Sequence, residues 1–179
     1  MYAFNNDPEL AARVRAQVAA HTQADEITQG RYWEDGKGCF IGCIAHGSDV
    51  RVVEKLTGFP IMLTRIAESI FEGLPNDRAK LFPQQIIQTV QTGANLSLVA
   101  WKFLHWLVSD VLETHGTLEV RAGCAAALEV LAAKARSEDV TSGTARATAD
   151  AAYAAAYAAA DAARIRQADK FLALLAGAQ

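Results

Sequence analysis

The residues best suited to chemistry are concentrated in Gly30-Arg-Tyr-Trp-Glu-Asp-Gly-Lys-Gly-Cys-Phe-Ile-Gly-Cys-Ile-Ala-His46. Glycines at 36, 38 and 42 let a ligand approach backbone N–H groups, and a helix starting near Cys39 points partial positive charge at whatever lies before it. Lys37 and Arg31 add charge, while Trp33 or Tyr32 offers a face for a ring or a cation. Arg31, Tyr32, Trp33 and Lys37 are therefore the candidate rim of an anion-accepting pocket for a nucleotide-like or phosphorylated ligand. A nucleoside-triphosphatase loop is excluded. The spacing from Gly30 to Gly36-Lys37 is one residue too long, Gly38 stands where a Ser or Thr would hold magnesium, and no strand precedes the run.

The same segment carries two thiols and an imidazole. A cysteine at a helix start has its thiolate favoured by the helix dipole, which makes Cys39 the candidate catalytic nucleophile. Its base would have to be His21, His46, His105 or His115, and the local signatures of cysteine peptidases are missing. Cys39, Cys43 and His46 stand at i, i+4 and i+7, so zinc is conceivable with His21 or Cys124 completing the set. Gly42 between the thiols favours close helix packing instead. Cys39 and Cys43 are expected to be structural thiols, with no metal, no cofactor and no disulfide, because an intact helix meets disulfide geometry poorly.

The elements that must position these groups read as helices. Asp7-Pro8-Glu9 is an N-cap, a first-turn proline and a first-turn acid, and Leu10, Val14 and Val18 then repeat every four residues. Short helices are expected over Ala24 to Gln29, over Cys39 to His46 closed by Gly47, and over Asp49 to Thr57 capped by Ser48 and closed by Gly58. Gly30 to Gly38 is expected to be an ordered loop, with Asp35-Gly36 the one hint of a tight turn. Pro60 opens a helix that reaches Gly73, Asn76-Asp77 starts a turn, and Pro83 starts a helix over Gln84 to Gln91. Asn95 caps a long apolar helix in which Trp101, Phe103 and Trp106 are core anchors, and Thr117 caps Leu118 to Ala135.

Thr144 to Ala176 is so rich in alanine that a helix of about thirty residues follows from propensity. Tyr153 and Tyr157 sit one turn apart, with Arg164, Ala168, Phe171 and Leu175 continuing that face, and the tyrosine pair is the candidate partner-binding surface. The fold class is all-α: a single helical domain over residues 1–179, with core helices in 1–135 and the alanine-rich helix over 144–176 packed on them.

Composition narrows the function classes. The 179 residues are 51% hydrophobic and 21% charged with a net charge of −3, which suits a globular chain and gives no bulk attraction to nucleic acid. The stretch Leu96 to Leu112 is broken by Lys102, His105 and Asp110 and is too short to span a membrane. Three cysteines and a start without a basic, apolar leader lead to the expectation of a cytoplasmic protein.

One pattern extends beyond single motifs. Gly30-x-Tyr32-Trp33, Gly36-Lys37-Gly38-Cys39-x-x-Gly42-Cys43, Gly58-x-Pro60, Ile70-Phe71-Glu72-Gly73-Leu74-Pro75, Pro83 and Gly93-Ala94-Asn95-Leu96 together resemble a family of small uncharacterised bacterial and phage proteins. The similarity covers Met1 to Leu112, and those chains also often end in an alanine-rich helix. The sequence departs from the family at Phe40 and Ile41, where smaller residues are usual, and at Asn95, where a carboxylate is usual. The resemblance implies an accessory protein of phage or mobile-element context, in defence or counter-defence, and supplies no active site. A fainter similarity, in Phe71 to Asp77 and the tail, is to helical toxin-immunity proteins. The expected function is that of a non-enzymatic binding or adaptor protein with a protein partner or a small anionic ligand. A small cysteine-dependent enzyme using Cys39 and a toxin-immunity-like protein are the alternatives.

Overall fold

The computed structural model describes residues 1–115, 118–137 and 161–179. The chain is predominantly helical, and the described residues contain one small two-stranded sheet. Tyr153 and Tyr157, and the first half of the expected alanine-rich helix, lie outside the described residues.

Helix α1 (Pro8–Gln23) begins as the sequence dictates. The Asp7 carboxylate accepts the Glu9 and Leu10 amides at 2.9 and 3.0 Å, with Pro8 in the first turn. Ala11, Val14 and Val18 are its buried stripe. The expected helix over Ala24 to Gln29 does not form. Asp25 turns back with φ 54°, and Ile27 instead pairs with Gly38 as an isolated parallel bridge. A β-branched residue beside an extended glycine gains a backbone ladder there, which outweighs a weak six-residue helix.

The expected loop contains a hairpin, β1 (Trp33–Glu34) with β2 (Lys37–Gly38), paired antiparallel. Asp35 and Gly36 both have positive φ, 51° and 77°, the two-residue turn whose twist matches paired strands. Helix α2 (Phe40–Ala45) follows, and His46 closes it in the left-handed region, where Gly47 was expected. Helix α3 (Val50–Thr57) is capped by Asp49, which accepts the Arg51 amide at 2.9 Å, and not by Ser48; Gly58 ends it at φ 69°.

Helix α4 (Ile61–Gly73) buries Leu63, Ile66, Ala67, Ile70 and Phe71. The expected turn and separate helix after it are one element, α5 (Asn76–Thr89), with Pro83 inside. Burial of Ala79, Phe82, Ile86 and Ile87 on one face carries the helix through the proline. Asn95 accepts the Ser97 amide at 3.1 Å and so shapes a turn, but the helix it was expected to cap, α6 (Val99–His115), starts later. Helix α7 (Leu118–Ala135) and helix α8 (Asp161–Ala176) complete the described elements.

Two compact units result. One comprises Met1–Ser97 with Arg164–Gln179, and the other comprises Leu98–Ala163. In the first, α1 packs on α5, and α2, α3 and α4 pack on one another. Arg164, Ala168, Phe171 and Leu175, the face expected from spacing, are all buried there, with Phe171 against Phe82. In the second, α6 and α7 pack together, Phe103 is buried, and Trp101 and Trp106 are half-buried. No described helix is long and apolar enough to cross a membrane.

Candidate functional site

The segment from Glu26 to His46 is held by backbone pairing on both sides. The Thr28 amide donates to the Gly38 carbonyl, the Gly38 amide to the Glu26 carbonyl, and the Cys39 amide to the Arg31 carbonyl, each at 2.9 Å. Gly38 and Gly42 are required by this arrangement, because a Cβ on either would collide with the Tyr32 carbonyl oxygen. Their bare backbone is thus covered by the protein's own chain at Tyr32, and the Tyr32 side chain is turned outward, 50% exposed.

The four residues expected to rim an anion pocket are placed as follows. Arg31 is exposed and pairs with Glu34 at 3.4 Å. Lys37 is exposed on β2, and its charge adds a little to the lowering of the Asp25 carboxyl, which comes first from the Lys80 ammonium bonded to it. Tyr32 is exposed between them in sequence, whereas Trp33 is half-buried and stacks on the His46 ring, with centroids 4.5 Å apart and planes 21° apart.

The start of α2 is occupied from within. The Ile41 amide donates to a Glu68 carboxylate oxygen at 3.2 Å, so the helix-start charge expected to await a ligand already faces Glu68. Cys39 is buried beside the same carboxylate, and burial first, then the Glu68 charge, push its thiol far up. The dipole-activated thiolate expected from sequence is therefore corrected: desolvation and a neighbouring anion outweigh the Gly42 and Ile41 amides that favour it. Cys43 is fully buried, donates to the Phe40 carbonyl at 3.2 Å, and is likewise pushed up by burial. Burial also raises Glu68 to about 6, opposed by the hydrogen bonds from Cys39 and Ile41.

Cys39, Glu68 and Glu72 bring one ligand atom each within 4.8 Å of one another. Glu72 is exposed and accepts the Gly30 amide at 2.9 Å. This carboxylate pair replaces the expected neighbours of Cys39. Glu68 and Glu72 share a face of α4 one turn apart, but nothing in their spacing indicates that Cys39 lies opposite.

His46 is drawn to His21, with Nε2 atoms 2.9 Å apart, and His21 Nδ1 meets a Glu26 carboxylate oxygen at 2.6 Å. Trp33 packs edge-on against His21 at 5.0 Å. Sequence reasoning singled out both histidines as possible bases for Cys39 and as possible zinc ligands beside Cys39 and Cys43, and missed Glu26 and the direct meeting of the two rings. The available signal was Gln17 and His21 one helical turn apart on α1, with Glu26 five residues on.

Compared with family models, with curated proteins and with solved structures, the chain finds no match.

Proposed function

We propose that the chain is a non-enzymatic helical binding protein of phage or mobile-element context, serving defence or counter-defence, which recognises an anionic group on a protein partner through Arg31, Tyr32 and Lys37. The observation carrying this reading is the exposed Tyr32 ring on a backbone that Gly38 and Gly42 clamp in place. An aromatic side chain with few rotatable bonds on a clamped backbone loses little conformational entropy on binding, as aromatic interface anchors do, and Arg31 and Lys37 are exposed in the same segment. Burial and the raised thiol of Cys39 weigh against the cysteine-enzyme alternative.

The test is recovery of partners from the native host with wild-type protein and with a Tyr32→Ala/Lys37→Ala variant. A partner retained by wild type and lost by a variant with unchanged melting temperature supports the reading. Equal recovery by both overturns it.

A further inference from the structure

The cluster at the far end of α2 from Cys39 is built from α1, the chain after it and the α2 C-terminus. His21 follows Gln17 by one turn on α1, and the Glu26 carboxylate returns to His21 Nδ1 at 2.6 Å. With Nδ1 donating its hydrogen to Glu26, a neutral His21 keeps its lone pair on Nε2, and His46 Nε2 is 2.9 Å from that atom. Gln17 Nε2 is 3.3 Å from the same His46 nitrogen, but its two hydrogens go to the Cys43 and Ile44 carbonyls at 2.8 and 3.0 Å. Trp33 stacks on His46 and meets His21 edge-on, so one indole lies against both rings.

We infer that His21 and His46 are the two protein ligands of a surface site for a divalent copper or nickel ion, oriented by Glu26 and walled by Trp33. Imidazole bonds to such ions are about 2.0–2.1 Å, so nitrogens 2.9 Å apart subtend about 90° at the metal. This is the angle of adjacent positions in a tetragonal or octahedral ion, whereas a tetrahedral ion needs nitrogens about 3.3 Å apart. A carboxylate on the outer nitrogen of a ligating histidine is the usual device for aiming the ring and raising its basicity. His46 is exposed, which leaves the remaining coordination positions to water.

The backbone supplies an independent observation. His46 sits at φ 50°, ψ 42° at the end of α2, a conformation for which glycine is the ordinary residue, although Gly47 is next in the chain. A side chain kept at a strained position points to a use for that side chain. Metal entry balances without net proton release: the hydrogen shared between the two Nε2 atoms leaves His46 Nε2, and His46 becomes the neutral Nδ1–H tautomer, freeing both Nε2 lone pairs.

The experiment is titration of tag-free full-length protein with Ni²⁺, followed by calorimetry and by broadening of indole and amide NMR signals, then repeated with Cu²⁺. Wild type should bind one ion per chain, with the Trp33 indole among the first signals lost. His46→Asn keeps a residue that tolerates the left-handed cap and should bind at least about tenfold more weakly. Glu26→Gln, which leaves both ligands in place, should weaken binding about 10–100-fold. Wild-type affinity in both variants, first broadening at His105 or at the Met1 amine, or no one-to-one binding overturns the assignment. If His46→Asn does not fold, the Glu26→Gln affinity and the wild-type broadening map still decide.

Discussion

Replacing Glu68 by Gln removes a half-buried carboxylate while keeping an oxygen that can accept the Ile41 amide. Burial raises Glu68 from an ordinary 4.5 to about 6, which corresponds to about 2 kcal/mol between its two protonation states. The sign follows from the raised value in the folded chain. Below about pH 4.5 the group is protonated in both states and its full contribution is present. As pH rises toward 6 the unfolded chain releases the proton first, and about 2 kcal/mol of stability is lost by the time the folded chain has released it too. Glu68→Gln has no such loss. Urea denaturation of both proteins, followed by tryptophan emission, should give equal stabilities near pH 4 and a variant more stable by up to about 2 kcal/mol near pH 8. For a chain of this length the difference corresponds to about 4–8 °C in melting temperature. A difference that does not change with pH, or a variant less stable than wild type near pH 8, refutes the claim that desolvation dominates at Glu68.

Further outcomes follow from single contacts. Gly42→Ala sets a Cβ against the Tyr32 carbonyl and should cost about 1–3 kcal/mol by urea denaturation, with the Arg31–Tyr32 amide signals shifting most in NMR spectra. The Thr64 hydroxyl is buried without a hydrogen-bond partner, so Thr64→Val should stabilise the protein by about 1 kcal/mol, read as a higher urea midpoint at unchanged slope. Asp7→Ala removes the acceptor of the Glu9 and Leu10 amides and should cost about 1 kcal/mol, with faster hydrogen exchange in the first turn of α1.

The sequence by itself determined the features that depend on neighbours along the chain. Asp7-Pro8-Glu9 specifies where α1 starts, because cap and first turn are local. Gly58 specifies where α3 stops, because φ 69° favours a residue without Cβ. The spacing of Arg164, Ala168, Phe171 and Leu175 by four, three and four residues specified the buried face of α8, since helical periodicity needs no partner to be legible. Where local and distant preferences competed, only the tertiary structure decided. Ile27 joined Gly38 and not a helix, and Pro83 lies inside α5 because its neighbours Phe82, Ile86 and Ile87 gain more from burial than the proline disrupts. The chemical groups show the same division. That Cys39 begins a helix was readable, but its thiol is pushed up by its own burial first and then by the charge of Glu68, twenty-nine positions away along the chain, and together these outweigh the amides that favour the thiolate. His21 and His46 meet because α1 and α2 pack on each other, and a contact across twenty-five residues leaves no periodic trace in the sequence.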